Sequence, residues 1–261
     1  MTARYDQIGI GYDSTRKADP YLTNRLFELL QTHTDGLYVD VGCGTGNYTS
    51  ALQEKGLKLI GIDPSQEMLA KAGEKNSLVE WREGTAESVG LPDGCADGVV
   101  ASLTIHHWSD LSAGFAEISR ILKPGSRFVL FTTLPEQTKA YWLNHYFPKM
   151  MADSIDILPT IQQITDALNA ANLELVQTEK YFVQPDLQDW FLYCGKHEPE
   201  RYFSPAVRSG ISSFSLLSNR EEVENGLQQL REDIQQHRFE AIARQHENDL
   251  GDYNFIVSRK N

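Results

Sequence analysis

The stretch LYVDVGCGTGNYTSALQEKG, residues 37–56, passes from a short apolar run into glycines at alternate positions and then into a helical pattern closed by Gly56. A strand running through Gly42, Gly44 and Gly46 straight into a helix exposes backbone N–H groups and keeps Cβ atoms away from an incoming ligand. The same alternation then repeats. LKLIGID, LVEWRE, ADGVVASLTI and SRFVLFTT read as strands, and SQEMLAKAGEK and DLSAGFAEISRIL read as helices. Strands that are apolar throughout and separated by helices predict a parallel sheet covered on both faces. Before them, Asp19 and Pro20 open a helix that places Leu22, Leu26, Leu29 and Leu30 on one face.

Beyond residue 135 the pattern changes. Tyr141, Trp142, Tyr146 and Phe147 crowd one segment, Thr160 and Gln163 form a capping box for the next helix, and LELVQTEKYFV reads as a strand. Residues 185–248 are expected to be helical. In them SPAVRSGISSFSLL aligns Val207, Ile211, Phe214 and Leu217, and a second stripe aligns Val223, Leu227, Leu230 and Ile234. DYNFIVSR closes the chain as a strand. The expected layout is a ligand-binding core at 1–135, an aromatic-rich insertion at 136–160, the core continued at 161–184, a helical cap at 185–248 and the last core strand at 249–261.

Charge narrows the function. A formal net charge of -12 opposes attraction to a phosphate backbone, so nucleic acid is not the expected partner. The first residues lack the basic-then-apolar layout of a secretory signal, and no uncharged apolar run reaches membrane-spanning length, which predicts a cytoplasmic protein. Cys43, Cys95 and Cys194 are too few and too scattered for a disulfide framework or a metal cluster.

The loop itself excludes some ligands. Without Gly-Lys-Ser/Thr it is not a P-loop, and a dinucleotide fingerprint would place its third glycine at Asn47. Asp40 would repel a pyrophosphate but suits an amino group. Asp63, at the end of the next strand, is placed for the two hydroxyls of a ribose, and GTAESVGLPDG supplies a polar loop at the carboxyl edge of the sheet.

These pieces, in this order, resemble the class I S-adenosylmethionine-dependent methyltransferases, and more closely the small-molecule group whose loop reads D-x-G-C-G-T-G. The resemblance spans residues 1–134, including the arm YDQIGIGYDSTRKADP and the Leu-Lys-Pro-Gly turn at 122–125. It implies an α/β fold: a Rossmann-like, doubly wound, mostly parallel seven-stranded sheet with helices on both faces and a helical cap inserted before the last strand. It implies S-adenosylmethionine as cofactor and S-adenosylhomocysteine as product. By the resemblance, Asp40, Gly42, Gly44 and Gly46 hold the methionine end, Asp63 binds the ribose, and Thr85 and Ala86 sit at the adenine with Met68 nearby. Ser102 completes the donor-binding set. Tyr12 and Arg16 close over the donor, the guanidinium meeting its carboxylate, or else belong to a solvated arm.

Methyl transfer needs alignment more than a nucleophilic side chain. A base helps a hydroxyl acceptor, and His106 and His107 follow the fourth strand. Neighbours on a strand face opposite ways, so at most one of them is expected at the substrate, and no metal is expected. The cap aromatics Trp190, Tyr193, Tyr202 and Phe203, with Tyr141 to Phe147, either form cap core or line an acceptor pocket. The stripe at 223–234 either packs on the cap or forms a dimer contact. The reading is a methyltransferase acting on oxygen or nitrogen of a small molecule, as a monomer or homodimer. The alternatives are a noncatalytic donor-binding regulator and a nicotinamide-dependent dehydrogenase.

Overall fold

The computed structural model describes residues 15–261, so Tyr12 lies outside the described residues. Seven strands form one sheet in the order β3-β2-β1-β4-β5-β7-β6. They are β1 (Leu37–Val41), β2 (Lys58–Asp63), β3 (Glu80–Glu83), β4 (Ala96–Ser102), β5 (Leu122–Thr132), β6 (Leu173–Tyr181) and β7 (Tyr253–Lys260). The pairs among β1 to β5 are parallel, whereas β7 runs antiparallel to both β5 and β6. The first residue of β7 therefore lies at the same sheet edge as the last residues of β1, β2 and β4.

Alternation along the strands divides the core in two. Val39, Val41, Ile60, Ile62, Val99, Ala101, Phe128 and Leu130 pack with helices Leu111–Ile121 and Ile161–Ala170. Tyr38, Leu59, Val100, Val129, Phe131, Phe255 and Val257 pack with helix Pro20–Leu30 and with the segments around β6 and β7. Local signals behave as their chemistry dictates. Asp19 Oδ1 accepts from the N–H groups of Tyr21 and Leu22, and Thr160 and Gln163 cap each other reciprocally.

The chain between β6 and β7 is less helical than its periodicity predicts. No helix forms over residues 185–198, and the expected helix at 204–217 is broken into Pro205–Ser209 and a π-turn at Ser213–Leu217. Gly210 explains the break. Its carbonyl accepts from Arg16 Nη1 at 3.1 Å, and a Cβ there would lie 2.8 Å from Thr15 Oγ1. The N-terminal arm thus occupies the space a continuing helix would need.

Helix Arg220–Gln235 buries Leu230, while Val223, Leu227 and Ile234 pack against the core, so the stripe is used within the chain. Tyr141, Trp142, Tyr146 and Phe147 are buried, as are Tyr193 and Tyr202; the Tyr141 and Tyr193 rings stack at 3.9 Å and the Tyr141 and Tyr202 hydroxyls bond at 2.9 Å. These rings are cap core. Among the described residues no helix is long and apolar enough to cross a membrane.

Candidate active site

The glycine loop leaves β1 with Gly42, Gly44 and Gly46 all at positive φ, at +77°, +55° and +73°. Their roles differ. A Cβ on Gly42 would lie 2.1 Å from Thr104 Oγ1, whereas a Cβ on Gly44 would meet nothing within 4 Å, leaving open space above the loop. Gly46 is not on the cavity wall. It faces inward, where a Cβ would lie 2.3 Å from the Trp81 ring, which is tethered by a 2.9 Å bond from its indole N–H to the Asn76 carbonyl. What forbids a side chain here is this close packing. Gly46→Ala is expected to destabilise the protein by about 2 to 3 kcal/mol, from left-handed backbone strain plus overpacking. Urea unfolding measures this, and a loss under about 1 kcal/mol would contradict the packing role.

A cavity of about 540 Å³ opens at the carboxyl edge of β1, β2 and β4 and continues under the cap. Asp40, Gly42, Gly44, Asp63, Met68, Thr85, Ala86, Ser102, Arg16, His106 and His107 all line it. Open α/β sheets bind ligands at this edge.

Asp40 is 2% exposed. Its Oδ2 accepts from the Thr49 hydroxyl at 2.6 Å, and its Oδ1 is buried with no partner. Burial, only partly offset by Thr49, pushes this carboxyl up to about 7. A buried acidic oxygen without a partner, on a residue that lines the cavity, is the kind of group a ligand ammonium would satisfy. In the free protein, Asp40 holds its proton more tightly than the unfolded chain does. Its stabilising contribution is therefore complete below about pH 4 and lost as pH rises to about 7. A cation arriving at Asp40 favours the carboxylate. Binding of S-adenosylhomocysteine near pH 6 is thus expected to release a proton, seen as a dependence of calorimetric heat on buffer ionisation enthalpy. Equal heats in all buffers would contradict the assignment of the ammonium to Asp40.

Asp63 accepts from Gly44 N–H at Oδ2 and from Ser65 N–H at Oδ1, both at 2.9 Å. One carboxylate thereby ties the loop to the end of β2 and presents its remaining lone pairs to the cavity. Burial raises its pKa, against the two backbone bonds that lower it. Ser65, whose hydroxyl accepts from Met68 N–H, caps helix Gln66–Lys75 and leaves Asp63 free of that duty. Thr85 and Ser88 exchange backbone bonds of 3.2 and 3.1 Å, fixing the loop that carries Ala86. Ser102 Oγ is a second buried oxygen without a partner.

His106 and His107 do not lie on a strand. β4 stops at Ser102, Leu103 adopts φ 54°, and Ile105–His107 form a 3-10 turn. The argument from opposite strand faces therefore does not apply. Both histidines line the cavity, and their ring centroids are 3.8 Å apart. Burial, and secondly the charge of Arg16, pushes His106 down to about 4, so its imidazole is neutral at physiological pH.

Arg16 is held by a residue that sequence reasoning did not single out. Its Nε donates to Asp189 Oδ1 at 2.5 Å and its Nη2 to Asp189 Oδ2 at 3.3 Å, while Tyr48 donates its hydroxyl to Asp189 Oδ2 at 3.0 Å. Asp189 is 1% exposed, and a buried acid among aromatic residues was its only signal. Thr49, Phe191, Ile211 and Tyr253, on or beside the wall, were also not foreseen. Thr49, Phe191 and Tyr253 carry no spacing pattern, and the spacing of Ile211 reads only as a helical stripe.

This fold coincides with that of proteins the chain resembles. Residues 39–130 match the Methyltransferase domain family. A solved structure from Anabaena variabilis, described as a "Putative methyltransferase from antibiotic biosynthesis pathway", is 34% identical with a TM-score of 0.84, covering 94% of this chain and 98% of that one. Malonyl-[acyl-carrier protein] O-methyltransferase of Yersinia pestis is 31% identical over 136 residues, 52% of this chain and 51% of that protein. The ubiquinone/menaquinone biosynthesis C-methyltransferase of Rubrivivax gelatinosus is 32% identical over 110 residues, 42% of this chain and 43% of that protein. These alignments span about half the length of the curated relatives or less. The chain belongs to the class I S-adenosylmethionine-dependent methyltransferases. The orphaned oxygens of Asp40 and Ser102 and the open face of Gly44 fit the family's donor.

Proposed function

We propose that this protein transfers a methyl group from S-adenosylmethionine to an oxygen or nitrogen of a small molecule seated under the cap, with His106 receiving the acceptor's proton. The observation that carries the reading is continuity: one cavity runs from the unpartnered Asp40 oxygen, past Asp63, to His106 and on to the cap residues Phe191 and Ile211. When bound, the donor supplies an electrophilic methyl on a sulfonium whose leaving group departs neutral.

The protein's part is placement. Asp40 holds the ammonium, Asp63 orients the ribose hydroxyls, and Met68, Thr85 and Ala86 flank the base. Gly42 and Gly44 let backbone approach the methionine portion. Arg16, kept in position by Asp189 and Tyr48, lines the same cavity and offers its charge to the donor's carboxylate. His106, neutral and half-buried, accepts the proton released as a hydroxyl or a neutral amine attacks the methyl group. The O-methyltransferase and C-methyltransferase relatives support a small organic acceptor.

The test is a pair of calorimetric titrations with S-adenosylhomocysteine and with NAD. Saturable binding of the first alone is expected. Preference for NAD would replace this reading with a dehydrogenase, and tight S-adenosylhomocysteine binding without turnover on any acceptor would favour a regulator.

A further inference from the structure

The cavity wall contributed by the cap differs in character from the donor cradle. Phe191, Leu192 and Ile211 face it from the segment between β6 and β7, and Ile157 and Leu158 reach it from the turn after helix Pro148–Asp156. Ile157 is 41% exposed, an apolar side chain left at a surface position on this wall. Two of the hydroxyls on this side are already used: Ser154 Oγ and Ser213 Oγ bond to each other at 2.9 Å.

The charges that line the cavity among the described residues are unbalanced. Asp40, Asp63, Glu87 and Asp189 are acidic, and Arg16 is the one arginine or lysine. Both Asp189 oxygens and the Gly210 carbonyl already engage that guanidinium. An anion entering the cap compartment would lose its hydration to apolar walls and find the Arg16 guanidinium already paired with Asp189. A neutral molecule would lose only apolar surface to them.

We infer that the acceptor is an uncharged, largely apolar molecule presenting a hydroxyl or amine, and that the cap compartment rejects a carboxylate or phosphate ester of the same shape. This rests on the reading of the cavity as a joint donor and acceptor site. The relevant residues are Phe191, Leu192, Ile211, Ile157 and Leu158.

The experiment titrates the full chain first with S-adenosylhomocysteine, then titrates the resulting complex with para-butylphenol and, separately, with para-butylbenzoate at neutral pH. Absence of the first binding event would defeat the donor reading on its own. Given that event, the inference expects the phenol to bind at least about tenfold more tightly than the benzoate. Equal binding, tighter benzoate, or failure of both probes would overturn it. Ile157→Lys, at an exposed position outside the donor cradle, should leave S-adenosylhomocysteine affinity unchanged and tighten the benzoate by about threefold to tenfold. An unchanged benzoate affinity in that variant would remove Ile157 from the acceptor's path.

Discussion

His106→Ala is expected to lower kcat by about 10²- to 10⁴-fold on a hydroxyl acceptor while S-adenosylhomocysteine affinity stays within about twofold. The imidazole lines the cavity beyond the donor cradle, so its removal should touch proton transfer and not donor binding. The pH profile sharpens the test. A histidine held down to about 4 is neutral across the physiological range, so kcat should show no acidic limb between about pH 5 and 7. Because both histidines line the cavity, His107→Ala is the necessary comparison. If it lowers kcat and His106→Ala does not, the roles are reversed; full activity in both removes the base from the mechanism.

Asp40→Asn should weaken S-adenosylhomocysteine binding by about 3 to 5 kcal/mol, because a buried ammonium would then lack its countercharge. The amide is nearly the same size, and the Thr49 hydroxyl can still donate to the amide oxygen, so the fold should survive. The free variant should resist unfolding at least as well as the parent at neutral pH, since it no longer carries a carboxyl that burial pushes up to about 7. Calorimetry gives the affinity and thermal unfolding gives the stability. Unimpaired binding would remove Asp40 from the donor site. Loss of binding together with loss of folding would point to a structural role, with Thr49→Val then separating the hydrogen bond from the charge.

What was legible in the sequence was local. The β1 to glycine loop to helix unit, Asp40 two residues before Gly42, Asp63 ending β2, and the capping residues Asp19 and Thr160 are all set by neighbours a few positions away. Gly46 was legible as a position that only glycine tolerates, but its reason was not. The Trp81 ring that it packs against comes from β3, two strands away. Periodicity could not foresee the break at Gly210, because the competitor for its carbonyl is Arg16, 194 residues earlier. The Arg16 to Asp189 pair, separated by 173 residues, has the same origin. The histidine turn was misread for a different reason. Leu103 takes up a left-handed backbone that its residue type does not favour, so nothing local marks the end of β4. The acceptor wall is an assembly of single apolar residues from separate segments, each indistinguishable in sequence from core.

The most direct test of the central claim is incubation of the protein with methyl-labelled S-adenosylmethionine and a deproteinised small-molecule extract of the source cells, with labelled products separated by chromatography. The account predicts a new labelled metabolite, uncharged apart from any amine, formed together with an equal amount of S-adenosylhomocysteine and nearly abolished by Asp40→Asn. No labelled small molecule, despite saturable binding of the donor, would contradict it.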